Sequence, residues 1–169
     1  YHGSKAIKSK YLSRVRAHAK ADEIVKGKYW EDGKGCAIGC TLHSDKHSDY
    51  ETELGVQVHL AHLEDVIFEN LPNGKAKEWP KRFLAAIKPG ADLSKVYPLF
   101  IVWMLTDPMD GVIRFADENG AKAIRDVSDL FLSRASGKEP APAAWDAARA
   151  AVRDAARAAA SAAASAAAC

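Results

Sequence analysis

Cysteine, unbroken apolar sequence and net charge are all scarce in this 169-residue chain. The cysteines are Cys36, Cys40 and Cys169. An odd count with two close together is no disulfide framework and fits a reducing compartment. No run reaches the roughly 18 apolar residues of a membrane span. Tyr1 to Lys10 is polar and basic and holds no signal-peptide core, so an intracellular, cytoplasmic protein is expected. The formal net charge of +2 is too small to argue for a partner by itself. What is present is ordinary globular usage, 48% apolar and 27% charged, which excludes disorder for most of the length.

The charge is unevenly spread. Residues 1–28 hold eight Lys/Arg against two acids. A basic first helix could touch nucleic acid or an acidic protein. No aromatic or Arg cluster accompanies the lysines, so a solvated helix face explains them without nucleic acid.

Periodicity is helical nearly throughout. Ser4 is placed to cap a helix running to about Val25, with Ile7, Tyr11, Val15 and Ala19 on one arc and Gly27 as the stop. Residues 27–35 read as a glycine-rich loop, and Cys36 to His43 as a short helix or tight turn. Val56 to Asn70 is the second long helix, ended by Pro72, Asn73 and Gly74. A third, over about Ala76 to Ile87, contains Pro80 and so begins near Trp79. Val96 to Leu105 is apolar all round, which predicts the central core helix. A buried strand is the competing reading there, but no second strand pattern exists to pair with it. Asp110 to Ala116 reads as a short helix, and Asn119 as the cap of another over Ala121 to Ala135.

After a stiff KEPAP linker the composition changes. About two residues in three are alanine from Ala143 to Cys169, which predicts one long helix. Its bulky anchors, Trp145 and Val152, lie near its start. The distal Ala/Ser face suits close pairing with another helix. A weak homo-oligomer through this helix is expected, with Cys169 near the interface. The fold class is therefore all-α: an irregular bundle of about six helices with an appended long Ala-rich helix. The expected division is a globular domain over 1–137, a linker over 138–142 and the Ala-rich helix over 143–169.

Four soft donors fall within twelve residues: Cys36, Cys40, His43 and His47. Thiolate and imidazole are the usual zinc donors, so these are the candidate metal ligands. On one continuous helix they would share a face in a row, and a row cannot close a tetrahedron; a break after His43 would let His47 fold back. The bland alternative is two small buried thiols beside two surface histidines. Cys36 is also a candidate nucleophile, because a helix start and Lys34 would both lower its pKa. His18, His43, His59 or His62 could serve as its base. The pair His59 and His62, followed by Glu64 and Asp65, lacks the HExxH pattern and fits boundary histidines beside leucines. Trp30 in the glycine loop is placed to line a pocket. GKGC is not a P-loop, and Asp32-Gly33 does not begin an EF-hand.

The segments RVRAHAKADEIVKG, WEDGKGCAIGCTLH, LEDVIFENLPN and WPKRFLAAI…GADLS, together with the Ser/Ala/Arg tail, resemble a family of uncharacterised bacterial and phage proteins. The resemblance covers most of residues 1–105 and the style of the tail. It implies a bacterial or phage source and carries no activity, cofactor or catalytic residue. In that family the tail often continues beyond the repeats, so a chain stopping at Cys169 is expected to be shortened. Three functions stay open: an interaction protein whose tail self-associates or docks on a protein partner, a small metal- or thiol-dependent hydrolase centred on Cys36, Cys40 and His43, and a nucleic-acid accessory protein.

Overall fold

The computed structural model describes residues 1–167, with side chains described as far as residue 162. The chain is all-α apart from one short hairpin. It divides into two compact units, Tyr1–Leu93 and Ser94–Cys169. The division falls at residue 93, not at the expected linker. The Ala-rich helix belongs to the second unit, where it packs along the helix that precedes it.

In the N-terminal unit, α1 spans Lys5–Lys20, and the Ser4 hydroxyl accepts from the Ile7 amide at its start. It ends before Val25 because Asp22 turns left-handed, at φ 59°. The chain then forms a small antiparallel hairpin, β1 (Trp30–Glu31) and β2 (Lys34–Gly35). Asp32 and Gly33 both have positive φ, the conformation an Asp-Gly hairpin turn demands. α2 (Ala37–Leu42) is buried along its whole length. A π-helical turn, Tyr50–Leu54, leads into α3 (Val58–Asn70). α4 (Asn73–Ala86) starts about two turns earlier than Pro80 suggests, and Pro80 lies buried inside it. Tyr11, Val15, Ile38, Tyr50, Leu54, Phe68 and Leu84 form the core.

In the C-terminal unit, α5 (Val96–Thr106) leads through a 3-10 turn, Val112–Phe115, to α6 (Glu118–Ala135) and α7 (Pro142–Ala167). Asp117, not Asn119, caps α6, accepting from the Gly120 amide at 2.7 Å. The segment expected to be the central core helix is helical but not buried. Pro98 is its one buried residue, and Trp103 is 47% exposed. Within its unit α5 packs against α6 and the 3-10 turn, and two neighbours cannot cover a helix that is apolar all round. Trp103→Ala is therefore expected to cost about 1 kcal/mol, against the roughly 3–5 kcal/mol of a fully buried tryptophan. Denaturant titration of the variant measures it, and a loss above about 3 kcal/mol would put Trp103 in a core. Cys169, expected near an interface, lies outside the described residues.

Candidate functional site

The four candidate metal ligands do not converge. α2 ends at His43, which takes a left-handed C-cap conformation at φ 60°. That turn separates His43 from His47 and sends the two imidazoles to different neighbours. Cys36 and Cys40 stay buried at the two ends of one helical turn, both free thiols. Among the described residues no three His, Cys, Asp or Glu side chains form a group able to hold a metal ion. The expected row of Cys36, Cys40, His43 and His47 is thus divided, because the helix that would align it breaks at His43.

His43 meets His18 instead. The two Nε2 atoms are 2.8 Å apart and the rings stand at 80°. His18 Nδ1 lies 2.6 Å from Glu23 Oε2. The indole of Trp30, carried on β1, stacks on the His43 ring at 4.3 Å and 13°. Burial, with help from Arg14 and His18, holds the His43 imidazole below its ordinary pKa. His18 belongs to α1 and Glu23 to the segment that follows it, so no local motif could have announced them.

His47 joins a second group. Its ring stacks on His62 of α3 at 4.3 Å, and its Nε2 lies 3.4 Å from Asp65 Oδ2. Tyr29 meets the same imidazole edge-on. Burial and His47 lower the pKa of His62. Asp65, Cys36, Tyr29, Lys28, Gly27 and Glu69 line a cavity of about 220 Å³. Trp30 is not among its walls; its neighbour Tyr29 is.

The expected activation of Cys36 is reversed. Amides of Ile38 and Gly39 at the start of α2 do favour the thiolate, but burial outweighs them and the nearby Asp65 adds to it. The Cys36 thiol is pushed up to about 12, and burial does the same to Cys40. A neutral buried thiol is a poor nucleophile at pH 7. Cys40 donates to the Gly35 carbonyl at 3.2 Å, a packing role. The basic residues of α1 are partly used within the unit too. Lys8 donates to the carbonyls of Ala85 and Ile87, and Arg14 to that of Thr41.

The C-terminal unit presents a different surface. Among the described residues, nine of the eleven exposed large apolar side chains belong to it. Met109 is 72% and Phe115 81% exposed. Beside Phe115 a groove of about 430 Å³ runs between α6 and α7, walled by Ala123, Ile124, Val152, Ala155 and Ala159. Alanine side chains are too short to fill the space between the two helices. Sequence pattern alone gives a flat alanine face there and does not announce the groove.

No described helix is long and apolar enough to cross a membrane. In comparisons with known proteins, no family model, no curated protein and no solved structure matches the chain.

Proposed function

We propose that this chain is an interaction protein of a bacterium or phage that works by association and not by catalysis, with a second copy of itself as its first partner. The observation that carries the reading is the apolar surface of the C-terminal unit, where Trp103, Met109 and Phe115 are exposed and Phe115 borders an alanine-walled groove. Exposed apolar area of this kind marks an interaction surface in a folded protein. A self-complementary interface needs a knob and a hole on the same unit. Phe115 is the knob, and the groove it borders is a hole of aromatic size. In a symmetric pair each Phe115 fills the other copy's groove. Beyond Arg157 the described part of α7 carries no charge, so close approach meets no unpaired ion.

Light scattering of the chain across a concentration series tests this. Association is expected, and Phe115→Asp or Ala159→Glu should weaken it at least tenfold while helicity is kept. A wild-type chain that stays monomeric over the whole range overturns self-association.

A further inference from the structure

We propose that the face shared by α1 and α4 binds the phosphate backbone of double-stranded nucleic acid. The two helices lie side by side and antiparallel. At one end Lys8 of α1 donates to the carbonyls of Ala85 and Ile87, and at the other Asp22, just past α1, pairs with Lys77 of α4. At about 100° per residue, Lys5 and Arg16 fall on the flank of α1 next to Lys8, and Lys20 follows one turn after Arg16. All three are exposed. α4 adds Lys77 and Lys81, and the hairpin adds Lys34. Lys77 first, and Lys34 after it, hold the Asp22 carboxyl below its ordinary pKa, which places both ammonium groups around one acid. The acids of this face are Asp22, paired with Lys77, and Glu78, paired with Lys81. Glu23 is turned to His18.

The arrangement selects the ligand. Lys5 to Lys20 covers about 22 Å of helix axis, enough to follow several phosphates of one duplex strand, which recur about every 3.4 Å. An acidic protein surface offers scattered carboxylates instead of such a line. None of the aromatic side chains on α1 or α4, Tyr11, Trp79 and Phe83, is exposed. The face therefore has nothing on which to stack an unpaired base, and a single strand is the poorer ligand. Ion pairs as exposed as Lys77–Asp22 contribute little, so the ammonium exchanges its carboxylate for a phosphate at small cost. Contacts of this kind position a duplex without reading its bases. The C-terminal unit holds nine Lys/Arg against nine Asp/Glu, so the attraction for a polyanion belongs to the N-terminal unit. In sequence the basic residues of α1 stand alone; packing α4 and the hairpin beside them doubles the row.

The test is fluorescence anisotropy of a labelled mixed-sequence DNA duplex of about two helical turns, titrated with the untagged chain at several NaCl concentrations. Binding is expected at low salt, weakening linearly on a log–log plot with a slope of about −4 to −5, from 0.9 or so per phosphate contacted. The double variant Arg16→Gln/Lys20→Gln should weaken binding at least tenfold and make the slope shallower by about two, and Lys77→Gln should make it shallower by about one. These side chains are exposed, so circular dichroism should show unchanged helicity. Arg153→Gln, a charge removed from α7, should bind as the wild type does. The single strand of the same sequence should bind severalfold more weakly. No binding up to about 0.1 mM chain at 50 mM NaCl or so, or binding unchanged in Arg16→Gln/Lys20→Gln, would overturn the proposal. A single strand, or a vesicle rich in phosphatidylserine, bound more tightly than the duplex would overturn the assignment of the ligand.

Discussion

Stability of the N-terminal unit is expected to fall as pH rises from about 4.5 to about 8, and Glu64→Gln is expected to abolish most of that fall. Glu64 sits on α3 with no exposed surface. Its Oε2 accepts from the Tyr50 hydroxyl at 2.5 Å, while Oε1 has no hydrogen-bond partner. Burial raises its pKa from an ordinary 4.5 to about 8, with the Asp65 charge adding to the rise and the Tyr50 hydrogen bond opposing it. The folded state therefore holds this proton more tightly than the unfolded state. Its stabilising effect is fully present below the unfolded pKa and is lost as pH rises through the folded one. Each pH unit between the two pKa values is worth about 1.4 kcal/mol, so the loss comes to roughly 4–5 kcal/mol, a large share of a typical domain's stability. Glutamine keeps an oxygen for Tyr50 and cannot ionise. The lowered pKa values of His43 and His62 act with the opposite sign, losing stability as pH falls. They are common to both proteins, so the difference between the two pH curves isolates Glu64. Urea denaturation at a series of pH values gives those curves. Parallel curves between about pH 5 and 8 would mean that Glu64 ionises inside the fold at no cost.

The sequence is most legible where one residue type decides the outcome. Ser4 caps α1 as its position suggests, and alanine propensity makes α7 one helix. Local turn chemistry is present at Asp32-Gly33, a hairpin signal between short extended segments that a test for a cation loop passes over. Periodicity fails at α5 for a physical reason. It reports which residues avoid water, not whether the unit has enough neighbours to shield them. The donor cluster fails for another reason. Spacing can place Cys36, Cys40 and His43 on one helix, but not the left-handed turn at His43 that aims its ring at His18. That partner lies 25 residues away in sequence. Glu64 offers a faint signal, a carboxylate among the apolar positions of α3. Only packing reveals that it is sealed in.

Gly39→Ala is expected to destabilise the N-terminal unit by about 3 kcal/mol or more, against the usual direction of such a change. Alanine for glycine inside a helix normally stabilises by up to about 1 kcal/mol. Gly39 is the exception because backbone from outside the helix rests on it. A Cβ there would stand 1.4 Å from the Tyr29 carbonyl oxygen and 2.6 Å from its carbon. The same oxygen crowds Gly35, where a Cβ would lie 2.1 Å away. Tyr29 cannot yield easily. On one side the Lys28 carbonyl accepts from the Cys36 amide at 2.6 Å, and on the other Trp30 pairs with Gly35. Relief of the clash must therefore lift the hairpin off α2. Gly74→Ala is the matched control, since nothing lies within 4 Å of a Cβ at that helical glycine. It should leave stability unchanged or raise it by a few tenths of a kcal/mol. The hairpin also carries Trp30, so lifting it separates the indole from His43. A Gly39→Ala protein within about 0.5 kcal/mol of the wild type in urea would mean that the hairpin is not seated on α2 by this contact.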